Sequence, residues 1–228
     1  MDGFDFIVRT KQDLIDAVEK YGIVPFFRNS LPGFSLEEHA DPSTWYDTSE
    51  DFWPCWEWKG DVIRTLRCGY GKFFEKKAAY VSVEWFCHLA NYRRDGYDFD
   101  ARYDDGLASF RDKTLFELVD RNAPVVSRRL KELGNYGKGG QKGFDTLMNR
   151  LQEQCYVIID DFVYLQDRKG RPYGWGVAEY STPERFMGAA FTDGVYRCKP
   201  RESYERLFEH LRALNPSAEE KALRKFLR

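Results

Sequence analysis

Cysteine is sparse and unpaired in this chain of 228 residues: Cys55, Cys68, Cys87, Cys155 and Cys198 are an odd number, widely spaced, with no C-x-x-C among them. That pattern speaks against a disulfide framework and points to reduced thiols in a cytoplasm. Histidine is scarcer still. His39, His88 and His210 stand far apart, none beside a cysteine or one helical turn from another histidine, so no metal site is expected. No run of eighteen apolar residues exists, and Met1 to Thr10 combines three charged residues with no long apolar stretch, which argues against a membrane span and a signal peptide. An excess of one charge is missing as well: 35 Lys and Arg face 37 Asp and Glu, a net charge of -2, so any basic surface must be local. There is no Gly-x-Ser-x-Gly elbow, and Tyr70-Gly71-Lys72-Phe73 is too short for a phosphate loop. No cofactor is expected.

Aromatic residues are abundant, at 17%, and such side chains either fill cores and pockets or stack on bases. The length suits one large domain or two small ones. Asp13 to Tyr21 carries Leu14, Ile15, Val18 and Tyr21 at helical spacing, with Gly22 placed to stop the helix. From Ile23 to Pro54 four prolines and a glycine break the chain into a long irregular connection. Tyr70 to Ser82 reads as a β-hairpin turning at Glu75-Lys76-Lys77, and Val83 to Arg93 as a helix behind Ser82. The segment DGYDFDARYDDG that follows is expected to be a glycine-bounded loop. A boundary is placed near Ser109, giving an N-terminal α+β region over 1–109, a winged helix over 110–186 and a C-terminal helical tail over 187–228.

The winged helix rests on period and punctuation. Thr114 to Arg121 is a short amphipathic helix ended by Pro124, and Ser127 to Leu133 a second one closed by Gly134. After the basic, glycine-rich NYGKGGQKG, Phe144 to Cys155 presents Phe144, Leu147, Met148 and Leu151 on one face, with Asp145, Asn149, Arg150, Gln152 and Glu153 opposite. This is the candidate recognition helix. It runs into YVIIDDFVYLQD, the turn Arg168-Lys169-Gly170-Arg171 and PYGWGVAEY, a hairpin of wing length with a basic tip. Backbone amides at Gly139, Gly140 and Gly143, beside Lys138 and Lys142, suit phosphates at a helix N-terminus. Asn149 and Arg150 suit base edges, and Arg168, Lys169 and Arg171 a groove. The bland alternative is a set of ordinary solvated turns, and winged helices also serve as protein-binding modules.

Two further clusters invite chemistry. Asn91 to Gly106 interleaves Arg93, Arg94, Asp95, Asp98, Asp100, Arg102, Asp104 and Asp105 with tyrosines, and carboxylates so grouped can polarise a water or support an oxocarbenium-like state. For an enzyme, Asp100, Arg102, Asp104 and Asp105 are the expected catalytic set. A loop pinned by Arg-Asp pairs accounts for the same residues. Trp53, Trp56 and Trp58, with Glu57 and Lys59, can wall a base-stacking pocket, yet the alternation of Trp56 and Trp58 better suits one face of a strand against a core. In the tail, Leu207, Phe208, Leu211, Leu223 and Phe226 define amphipathic helices able to pack on the body or form a homodimer.

The run RLQEQCYVIIDDFVYLQDRKGRPYGWGVAEYSTPE, with NYGKGGQKGFD before it and NYRRDGYDFDARYDDGLAS upstream, resembles a bacterial family of short AlkZ-related proteins over roughly Val24 to Phe186. These are similar in architecture to winged-helix DNA glycosylases that excise bulky or crosslinked alkylated bases. The resemblance implies duplex DNA as partner and a place in DNA repair. The glycosylases carry Gln-x-Gln or Gln-x-Asp after the first helix. Here that stretch is GIVPFF, Gly22 to Phe27, without glutamine, and Gln152 and Gln154 stand at the end of the candidate recognition helix, so the catalytic role is not carried onto them. The expected function is DNA binding with base-excision chemistry, against a regulatory or protein-interaction module or a small-substrate hydrolase.

Overall fold

The computed structural model describes residues 3–50 and 52–228. Helix α1 (Lys11–Tyr21) starts at a capping box in which the Asp13 amide donates to Thr10 Oγ1 at 3.2 Å and the Thr10 amide to Asp13 Oδ2 at 2.9 Å. It stops at Gly22, whose φ of 71° no side chain adopts cheaply; a Cβ there would also lie 2.1 Å from Trp85. Strand β1 (Ile23–Pro25) follows, and the proline-broken connection holds the short helices α2 (Leu36–His39), α3 (Pro42–Trp45) and α4 (Pro54–Glu57) before α5 (Lys59–Leu66). Trp56 and Trp58 therefore lie on helical backbone, one in α4 and the other its C-cap, and not on the strand face that their alternation suggested. Pro54 at the first helical position starts the turn.

Strands β2 (Gly69–Phe74) and β3 (Lys77–Val81) form the expected hairpin, turning at Glu75 and Lys76 with φ of 49° and 60°. β1 adds to the other edge of β3, Ile23 opposite Val81, giving an antiparallel sheet in the order β1-β3-β2. Helix α6 (Val83–Arg94) packs beneath it. The expected loop that follows instead contains α7 (Phe99–Asp104), because Asp98 Oδ1 caps it by accepting from the Ala101 amide at 2.8 Å and Phe99 buries itself against Phe116, ring centroids 4.1 Å apart.

Helix α8 (Phe110–Asn122) begins a turn earlier than its apolar period implied, since Ser109 and Asp112 form a second capping box. Then come β4 (Val125–Val126), α9 (Ser127–Leu133), α10 (Phe144–Glu153), β5 (Ile158–Gln166) and β6 (Pro172–Ser181). The second sheet is antiparallel in the order β4-β6-β5, with Val125 opposite Tyr180 and Ile159 opposite Tyr180 on the other side. The short helices α11 (Pro183–Met187) and α12 (Ala189–Thr192) lead to α13 (Pro200–Leu214) and α14 (Glu220–Phe226). The protein is thus α+β, built on two small antiparallel sheets. No helix among the described residues is long and apolar enough to cross a membrane.

A connected core spans the chain. The apolar stripes of α13 and α14 are buried within the same chain: His210 stacks on Trp85 at 3.7 Å and donates from Nε2 to the Tyr21 carbonyl at 2.8 Å, while Phe226 stacks on Phe74 at 4.6 Å and meets Phe34 edge-on. Arg94, 1% exposed, is the central polar pin. Its guanidinium donates to Glu184 Oε1 at 2.7 Å, Tyr196 Oη at 3.1 Å and the Cys155 carbonyl at 2.7 Å, and lies over the Tyr156 ring.

Candidate functional site

The glycine-rich segment before α10 is shaped by its own backbone. Gly139 and Gly143 adopt φ of 83° and 86°, the Gln141 amide returns to the Asn135 carbonyl at 2.6 Å, and Arg111 donates to the Lys142 carbonyl. Lys138 and Lys142 are exposed, and no side chain caps α10, whose first amides remain open to an anion. At the tip of the β5-β6 hairpin, Asp167 accepts from the amides of Lys169 at 2.7 Å and Arg171 at 3.0 Å and from the Arg171 guanidinium at 2.9 Å. Arg168 and Lys169 are exposed and make no ion pair among the described residues. Between α9, its following turn and β6 runs an open groove of about 530 Å³ bearing Arg128 and Lys131.

α10 presents less polar surface than its sequence suggested. Gln152 is buried and accepts from the Lys72 amide at 3.1 Å, fixing α10 to β2, and Arg150 grips Asp112 of α8 through two donors at 2.9 and 2.7 Å. Asn149 is half-exposed, and Arg171 is tied to Asp167.

The acidic segment is dispersed by its helix. Asp100, exposed on α7, lines a shallow cavity of about 300 Å³ with Asp98, Asp120, Tyr156, Thr182 and Glu184. Arg102 turns inward and donates to the Arg94 carbonyl at 3.4 Å. Asp105 accepts from the Tyr97 hydroxyl, raising that phenol's pKa, and Asp104 faces solvent.

A different group stands out by its surroundings. Lys59, the first residue of α5, is 2% exposed, its Nζ 3.0 Å from the Trp56 ring centroid and 4.0 Å from that of Phe162 on β5. It makes no ion pair and no hydrogen bond among the described residues. Burial lowers its pKa to about 7, against a smaller opposing pull from Glu57, whose own carboxyl is raised by burial. Two of the carboxylates nearby are engaged elsewhere: Asp61 holds Lys11 Nζ at 2.6 Å, and Arg64 bridges Asp61 and Asp161. Gly60 makes this possible, since a Cβ there would sit 2.5 Å from Asp161 Oδ1. Next to Asp161, Asp160 is 6% exposed with Oδ1 unpartnered; burial, then the Glu179 charge, raises its carboxyl to about 7. The sequence offered one signal for this site, three tryptophans around a glutamate and a lysine; nothing local indicated that Phe162 would close over the amine.

Among curated proteins and among solved structures, no match was found. The profile of the family described as "AlkZ related" matches residues 8–228, nearly the whole chain and more than the stretch whose motifs carry the resemblance. The chain belongs to the AlkZ-related family.

Proposed function

We propose that this chain binds duplex DNA through a winged helix formed by residues 110–181, and that it serves in the repair of alkylated DNA. One observation carries the reading: β4, between α8 and α9, pairs with β6, Val125 opposite Tyr180 and Val126 opposite Glu179. The order helix, strand, helix, helix, hairpin, with the first strand on the returning arm of the hairpin, supports that reading. In this reading Lys138, Lys142 and the free amides of α10 take phosphates, Asn149 faces the bases, and Arg168 and Lys169 enter a groove from the hairpin tip. Arg150 and Arg171 act as braces, their donors already held by Asp112 and Asp167. Of the four acidic-segment candidates, Asp100 is the one that lines a cavity, and in this reading it meets the substrate.

The test is a salt titration of duplex binding by fluorescence anisotropy. Each phosphate contact contributes about 0.9 to the slope of log K against log salt, so changing Lys138, Lys142 and Arg168 to Ala together should flatten it by up to about 2.7. Absent or salt-independent binding overturns the proposal. A second reading, a protein-docking module, is favoured by Val163, Leu165 and Trp175, which stand exposed on the hairpin at 37%, 38% and 61%.

A further inference from the structure

Buried lysines ordinarily find a carboxylate, because an unpaired ammonium out of water is costly. Lys59 lines a cavity shared with Asp61 and Glu57, yet Lys11 and Arg64 hold Asp61 and the neighbouring Asp161. The amine is left against two aromatic faces, on a residue that lines the cavity. At a pKa of about 7 much of it is unprotonated near neutrality, the state in which a lysine attacks carbonyl carbon.

The cavity measures about 160 Å³, well below the ~300–1,000 Å³ of sites for drug-sized ligands. It admits a group the size of one sugar and no whole nucleotide. Tyr164 and Gly176 of the β5-β6 hairpin complete its wall, and the exposed Trp175 meets Trp56 edge-on at 6.1 Å beside it. An indole so placed can stack in the gap left by a missing base.

We propose that Lys59 is a Schiff-base nucleophile for the open-chain aldehyde of an abasic deoxyribose, cleaving the DNA strand on its 3′ side. The proposal rests on the DNA-binding reading above. The unprotonated Nζ adds to C1′; water leaves with the carbonyl oxygen, one amine hydrogen and a proton from the Glu57 carboxyl, giving a protonated imine. The Glu57 carboxylate then removes a C2′ proton, and the electrons of that C–H bond shift to break C3′–O3′, releasing the 3′ phosphate. Water hydrolyses the unsaturated imine and restores the amine. No oxidant or reductant is needed.

The experiment incubates the full chain with a duplex carrying one abasic site, and separately with the intact duplex, in the presence of borohydride, which reduces the imine to a stable secondary amine. The expected result is a covalent adduct with the abasic duplex alone, mapped by mass spectrometry to the Lys59 peptide and lost to background in Lys59→Met. Because the adduct is mapped in the unaltered protein, a folding failure of Lys59→Met leaves the answer intact. An adduct on another lysine, or none although anisotropy shows the abasic duplex bound, overturns the role of Lys59. Failure to bind either duplex overturns the DNA-binding reading itself, and this inference with it.

Discussion

Replacing Asp160 with Asn should change how the stability of the protein depends on pH, and the sign is fixed by the direction of its shift. The folded state holds the Asp160 proton more tightly than the unfolded chain, so unfolding releases a proton wherever the pH lies between the two pKa values. Stability is therefore greatest below the unfolded value and is lost as pH rises toward the folded one. The rise from 3.8 to about 7 corresponds to about 4 kcal/mol in all, of which about 2.5 kcal/mol falls between pH 5 and pH 8. Asparagine keeps the shape and cannot ionise, so urea unfolding followed by tryptophan fluorescence at several pH values should show wild type losing that amount relative to Asp160→Asn. Other titrating groups, including His88 and His210 with their burial-lowered pKa values, contribute to both proteins and cancel in the difference. Lys59 supplies the mirror image: its folded pKa is depressed, so its contribution rises with pH above about 7, and Lys59→Met should flatten that limb. Stability curves for wild type and Asp160→Asn that run parallel from pH 5 to pH 8 would refute the assignment of a buried, protonated carboxyl.

Arg94→Met removes a guanidinium that satisfies Glu184, Tyr196 and the Cys155 carbonyl at once, and should cost about 3 kcal/mol, read from the urea midpoint. A loss under about 1 kcal/mol would mean that the methionine packs as well as the network it replaces. Phe226→Ala empties the space between Phe74 and Phe34 and should cost about 3–5 kcal/mol. An unchanged thermal midpoint would show that α14 is not docked in solution.

What could be read from the sequence was whatever local chemistry decides. The Gly22 stop, the Glu75-Lys76 turn, the periods of α9 and α10 and the long hairpin depend on a few consecutive residues, and they stand where their patterns put them. α7 escaped because six residues are too few to display a period, although Asp98 ahead of Phe99 was a cap in plain view. The roles of Arg150 and Gln152 were hidden for a different reason. Both look solvated along the helix, and only packing brings in Asp112 on α8 to hold Arg150 and the Lys72 amide on β2 to hold the buried Gln152. Lys59 is the extreme case: within WEWKG it reads as a charge beside tryptophans, and its burial is completed by Phe162 from a strand distant in sequence.

That dependence also ties the two candidate sites into one mechanical unit. α5 lies close enough to β5 that a Cβ at position 60 would press on the Asp161 carboxylate at 2.5 Å, and Arg64 bridges Asp61 of its own helix to Asp161 of the strand. The hairpin's basic tip and one wall of the lysine cavity are thus carried by the same two strands, with β5 set against the N-terminal sheet through Tyr70 and Phe162, ring centroids 5.9 Å apart. Under the DNA-binding proposal, a hairpin seated by Arg168 and Lys169 would bring Tyr164 of the cavity wall and the neighbouring Trp175 to the duplex without a domain movement, so that binding at the tip would also position the amine.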